Sequence, residues 1–149
     1  MDGLPPLPIA EALILRTARL NLLPINQGHA PAMFDVLNDP ALYEFVSSSP
    51  PTDVGALSRL YEFWENRRSP NGAELWLNWV LNLRAQDRLI GHFQVGVQPD
   101  HADMAWFLGL KWQHHGYATE AAEAVLAWLL QLVWKQAYSS DHIPQCGTG

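Results

Sequence analysis

Between Leu75 and Leu110 the chain spells out three β-strands in succession, and no other stretch restricts its fold as strongly. In Leu75 to Leu83 the odd positions Leu75, Leu77, Trp79, Leu81 and Leu83 are all apolar, while Asn78 and Asn82 fall on the other face. A repeat of two residues is the repeat of a pleated strand. After a turn at Ala85 to Arg88, Leu89, Phe93, Val95 and Val97 form the apolar face of a second strand, Leu89 to Val97, opposite His92 and Gln94. A turn at Asp100 to Ala102 leads to the third, Asp103 to Leu110, which sets Met104, Trp106, Leu108 and Leu110 against Asp103, Ala105 and Phe107.

The flanks supply helices. After a Pro-rich leader over residues 1–12, Leu13 to Leu23 reads as a strand stopped at Pro24. From about Gln27 to Leu37, Ala30, Met33, Phe34 and Leu37 recur at helical spacing until Asn38-Asp39-Pro40 breaks the pattern. Ser47 to Pro51 is a turn. Asp53 is placed to cap a second helix with Leu57, Leu60, Tyr61 and Trp64 on one face. Arg67 to Gly72 is a loop. A long helix over Ala118 to Trp134 buries Ala118, Ala121, Ala122, Val125, Leu129, Leu132 and Val133 and turns Glu120, Glu123, Ala127 and Gln131 outward. The order predicts an α/β chain of the α+β kind: one domain over residues 1–149, with a mostly antiparallel sheet and helices on its faces. At 149 residues such a chain buries a substantial core.

A net charge of −6, with only nine Lys and Arg, argues against nucleic acid and favours a basic partner. Cys146 is the sole cysteine, so an internal disulfide is excluded and a reducing cytoplasm is the expected setting. The first ten residues have neither the basic start nor the apolar run of a signal peptide, so a soluble protein away from membranes is expected. Neither paired cysteines nor a His-Glu-x-x-His arrangement occurs, and no metal is expected.

The chemistry concentrates in Trp112-Gln113-His114-His115-Gly116-Tyr117-Ala118-Thr119-Glu120-Ala121, which leads from a strand through a short loop into the long helix. Around Gly116 the backbone can approach a ligand without an intervening Cβ, and the first helical turn offers unpaired N–H groups at a positive dipole end. The bland alternative is a glycine that merely ends a loop. The spacing Gln-x-x-Gly-x-Ala followed by Thr-Glu-Ala resembles the acetyl-CoA signature of the GNAT superfamily of N-acetyltransferases, and of its ribosomal-protein N-acetyltransferase branch in particular. Leu89-Ile90-Gly91-His92 and the Arg19-Leu20 step are similar to the same branch.

The resemblance implies acetyl-CoA as the cofactor, its pyrophosphate cradled by the backbone of Gln113, His114, His115, Gly116, Tyr117, Ala118 and Thr119. It also implies that the backbone of Phe107 and Leu108 pairs with the pantetheine arm and acetyl carbonyl. An acidic residue is common in that branch at the place of Asp103, whose catalytic role would be general base if burial raises its pKa; an exposed turn residue is the alternative. Glu44, His92 and Gln94 are further candidates for the rim of the acceptor site.

Family members continue past this helix with a splayed strand, a helix and closing strands that carry the thiolate's proton donor. Here Lys135 to Gly149 resembles none of that ending, so a C-terminally truncated domain is expected. An uncovered sheet edge and helix face around Leu129, Leu132, Val133 and Lys135 to Tyr138 would then favour a homodimer. The implied activity is acetyl transfer to a primary amine, a protein N-terminal α-amine in this branch. Small-molecule amines, or a non-catalytic CoA-binding or dimerisation module, are the alternatives.

Overall fold

A computed structural model describes residue 4, residues 7–44 and residues 49–131 of the chain. Five strands form one antiparallel sheet in chain order: β1 (Leu15–Arg16), β2 (Leu20–Pro24), β3 (Leu75–Leu83), β4 (Arg88–Val97) and β5 (Ala102–Leu108). Helices α1 (Ala30–Leu37) and α2 (Val54–Trp64) cover one face, and α3 (Tyr117–Leu129) covers the other. The fold is therefore α+β, as expected.

The alternation in β3 explains why both faces are covered. Its odd-numbered side chains join Ala121, Val125 and Leu129 of α3 in one core, while Val80 packs with Ile25, Met33, Leu37, Leu57 and Tyr61 in a second. Only Trp76 of the strand is less than fully buried, and Asn78 and Asn82, on the even-numbered face, are buried too. The apolar repeat of α3 is i, i+4, i+8, one stripe facing the sheet. Asp53 caps α2 by accepting the Ala56 N–H at 2.7 Å, so that sequence signal sets the start of the helix.

Several boundaries differ from the sequence reading. Leu13 to Leu23 is not one strand: a 3₁₀ turn at Ala10–Leu13 is followed by β1, a reversal and β2. Thr17 makes the reversal, its N–H donating to Leu20 O while its Oγ accepts the Leu20 N–H. Alternating leucines look alike in a strand and in the two arms of a hairpin, so the pattern hid the turn. The first helix opens with a 3₁₀ turn, Gln27–His29, before α1. The third strand stops at Leu108 rather than Leu110, because a 3₁₀ turn at Leu110–Trp112 folds the Trp112 ring to within 2.9 Å of where a Gly109 Cβ would lie. Helix α3 begins at Tyr117 rather than Ala118, and Glu120 points inward rather than outward, for a reason given below. Leu132, Val133 and Trp134, the expected dimer contact at residues 135–138, the tail beyond it and the first part of the 47–51 turn lie outside the described residues. Among the described residues no helix is long and apolar enough to cross a membrane.

Gly91 of β4 leaves no room for a side chain against β5. A Cβ there would lie 2.1 Å from the Phe107 carbonyl oxygen and about 3 Å from Leu108, contacts the backbone must move to relieve. The Leu-Ile-Gly pattern thus has a packing cause. Gly91→Ala is expected to destabilise the protein by at least about 1–3 kcal/mol, the usual cost of overpacking, read as a lower urea midpoint.

Candidate active site

β5 hands the chain to the loop that precedes α3, and the bonding there is specific. Gly109 N–H bonds Ile90 O at 2.9 Å. Antiparallel pairs alternate, so the backbone of Leu108 faces the outer side of β5 while that of Phe107 turns toward His92. The Leu108 carbonyl is taken from that outer side by Gln113, whose Nε2 donates to it at 3.1 Å. The side chain of Gln113 therefore ties the loop to the strand end, a role the sequence reading did not assign.

Beyond Gln113 the backbone alternates in hand. His114 (φ 66°) and Gly116 (φ 82°) are left-handed, and such alternation turns successive N–H groups into one concavity. The Gln113 N–H is used by Leu110 O. From His114 to Thr119 the N–H groups have no acceptor among the described residues, and Gly116 gives α3 no side-chain cap. An anion fits such a start, since the N–H groups and the helix dipole both favour negative charge. A Cβ at Gly116 would be strained by the positive φ and would meet Arg19 Nη2 at 3.3 Å. His114 and His115 are exposed, and a His115 ring nitrogen lies 3.1 Å from Lys111 O.

Glu120 organises this end of α3. It accepts hydrogen bonds from the Thr17 hydroxyl and, at 2.7 Å each, from the Arg19 N–H and Arg19 Nε. Desolvation pushes its carboxyl pKa upward, but the bonds from Thr17 and Arg19 outweigh it and leave the value below the ordinary range. Arg19 continues to the loop, donating to His115 O at 3.0 Å and lying 4.3 Å from the centre of the Tyr117 ring. Glu120 thus points inward because the β1–β2 turn, some hundred residues away in sequence, presents donors to it. Glu120→Gln is expected to loosen the loop and destabilise the protein by up to about 1 kcal/mol, since a charged acceptor is worth about 1.5–3 kcal/mol and part survives in the amide. Calorimetry checks this.

On the opposite face two adjoining cavities, of about 460 Å³ and 400 Å³, lie along β4 and β5 and share Trp64, Gln94 and Ala105. The register explains their composition: His92 opposes Phe107, Gln94 opposes Ala105 and Gly96 opposes Asp103, all on the α1–α2 face. The larger is walled by aromatic rings and includes His92 and Gln94. The smaller contains Glu74 and Asp103. Asp103 is exposed and lies 3.8 Å from His101, so it lacks the burial that the base role invoked. Glu44 is exposed and is not among the residues lining either cavity.

His92 is buried, and desolvation pushes its pKa down to about 4. Its Nδ1 and the Tyr61 hydroxyl are buried without hydrogen-bond partners among the described residues. Burial, and then Tyr43, raise the Tyr61 pKa. A depressed folded-state pKa means that between pH 6.5 and about 4 the unfolded chain takes a proton that folded His92 refuses. That contribution is fully present above pH 6.5 and is lost as pH falls toward 4, by about 3 kcal/mol in total at about 1.4 kcal/mol per pH unit. His92→Phe should flatten this part of the stability–pH curve in denaturant titrations.

Comparison with known proteins places this geometry. The family model of the acetyltransferase (GNAT) domain matches residues 19–142, and the chain belongs to that family. No curated protein matches the sequence. Among solved structures the fold is similar to a GCN5-related N-acetyltransferase from Brucella melitensis, with TM-score 0.65 and 16% identity over 89% of this chain and 60% of that one. It is also similar to a GNAT-family acetyltransferase from Bacillus anthracis, with TM-score 0.58 and 17% identity over 79% and 66%. RimL, a ribosomal alpha-N-protein acetyltransferase, superposes with TM-score 0.64 and 14% identity over 79% and 65%. The chain thus spans about two thirds or less of the length of these three. The family generally uses acetyl-CoA as acetyl donor, and the loop before α3 suits its phosphates.

Proposed function

We propose that this chain transfers the acetyl group of acetyl-CoA to a primary amine, with a protein N-terminal α-amine as the acceptor class. The observation that carries this reading is the uncapped start of α3: six successive N–H groups from His114 to Thr119, in a chain that belongs to the GNAT acetyltransferase family. RimL, whose fold this chain shares, is an alpha-N-protein acetyltransferase and supports the finer assignment.

Acetyl-CoA would supply an activated thioester, whose acyl group passes to the amine nitrogen as CoA leaves as the thiol. His114 to Thr119 would hold the phosphates through their backbone, with Gln113 bracing the loop. Leu108, on the outer side of β5, offers its N–H to the pantetheine arm and acetyl carbonyl, and Phe107 brings its ring to the acceptor side. Asp103 and Glu74 line the smaller cavity and give an ammonium group its counter-charge. We assign Asp103, exposed and lining the smaller cavity, the role of passing the amine's proton to water.

A titration with acetyl-CoA followed by transfer assays over a panel of peptides and amines tests the proposal. Gly116→Val is expected to weaken acetyl-CoA binding by 10-fold or more, about 1.4 kcal/mol or greater; equal affinities would remove the phosphate assignment. Asp103→Asn should slow transfer mainly at low pH, by less than about 100-fold, the lower end of general-base effects. A pH–rate profile unchanged by the substitution would give proton removal to solvent alone.

A further inference from the structure

The cap that opens the first helix contains a titratable group. Ile25 is buried, with its N–H on Asn78 O at 2.9 Å, and Ala30 is buried at the start of α1, so the 3₁₀ turn Gln27–His29 is held at both ends. Within the turn, side chains satisfy the backbone donors. Asn26 Oδ1 accepts the Gly28 N–H at 2.8 Å, and His29 Nδ1 accepts the Asn26 N–H at 3.1 Å. This is a capping box, in which the third position ordinarily carries Glu or Gln. A histidine there accepts that bond only while its Nδ1 is unprotonated.

A second bond ties the same turn to α2. The Gln27 N–H donates to Glu65 Oε2 at 2.8 Å, and Glu65 follows the last turn of α2 with its own N–H on Tyr61 O at 3.0 Å. Its neighbour Trp64 lines both cavities, so the joint stands directly behind their shared wall. Among the ionisable groups of α2 and its end, which are Arg59, Tyr61, Glu62 and Glu65, it is Glu65 that acts on His29. Burial lowers the pKa of His29 and Glu65 raises it, burial being the larger effect. The rest of the turn is uncharged, and β2 and β3 carry no titratable side chain. The one in α1, Asp35, is exposed and more than a helical turn further on. A lowered folded-state pKa means that the neutral form is the one the fold favours. Its contribution is fully present above pH 6.5 and is lost as pH falls through the folded value.

The geometry points to an acid-sensitive latch at the junction of α1 and α2: neutral His29 closes the capping box, and a proton taken from solvent at Nδ1 sets two N–H groups against each other and opens it. The imidazolium then releases Asn26 and turns to the Glu65 carboxylate, where it competes with the Gln27 N–H. Both ties between the turn and its surroundings loosen together.

Amide hydrogen exchange in the whole chain, followed by NMR and corrected for the intrinsic pH dependence of exchange, tests this. From about pH 8 down through the His29 midpoint, located from its ring signals, protection of the Asn26 and Gln27 amides should fall about fivefold, the equivalent of about 1 kcal/mol for one helix cap. His29→Gln keeps an acceptor that does not titrate and should hold this protection constant over the range. His29→Ala removes the acceptor and should leave Asn26 at its acid-state protection throughout. Asn26 protection that does not follow the His29 titration overturns the inference. So does a pH dependence that survives in His29→Gln, or an equal loss at the β3 amides, which would mark a change of the whole fold.

Discussion

The rest of the structure depends on the burial of β3 from both sides. A strand whose odd and even faces are both covered cannot shift register by one residue without exchanging two cores, so its alignment with β2 and β4 is strongly held. The polar residues on the even face fit because they are few and placed at the margins. Asn82 bonds Asp87 in the following turn, and Asn78 reaches the smaller cavity. The sheet is thus a rigid floor, and the two ends of β4 and β5 serve different purposes: close approach and departure into the loop at Gly91 and Leu108, cavity walls from His92 to Gly96.

The β1–β2 turn shows how a short surface feature becomes part of the site. Its carbonyls are gathered by a cation and its donors by an anion. The Arg84 guanidinium donates to Thr17 O, Ala18 O and Leu20 O, while Glu120 accepts from Thr17 and Arg19. Held on both sides, the turn keeps Arg19 against Tyr117 and His115 O, beside the proposed phosphate loop. The proposed cofactor end is therefore built from both ends of the described chain, and the proposed acceptor end from α2, β4 and β5.

Much of the site was legible because it is local. The Gln-x-x-Gly-x-Ala spacing located the loop, since a glycine before a helix start is a backbone requirement written in one residue. His92 and Gln94 were recognisable as the polar face of a strand, and the register confirms that they share it with Phe107 and Ala105. What escaped was every feature that needs a partner distant in sequence. Glu120 looked like an outward helix residue because helical periodicity carries no knowledge of Thr17. Tyr61 looked like ordinary core, because an unmet hydroxyl is invisible until its surroundings are known.

The sequence by itself determined the strands at 75–83 and 89–97, the cap at Asp53, the α+β class and the loop around Gly116 that leads into the last helix. All of these follow from side-chain periodicity or from a conformational preference of a single residue. Tertiary structure alone decided that the first strand is a hairpin, that Gln113 braces β5, that Asp103 stays exposed, and that an aromatic cavity adjoins an acidic one. Those outcomes depend on which groups meet across the sheet. Hydrogen bonding and desolvation act between neighbours in space, and a linear pattern records neighbours in sequence.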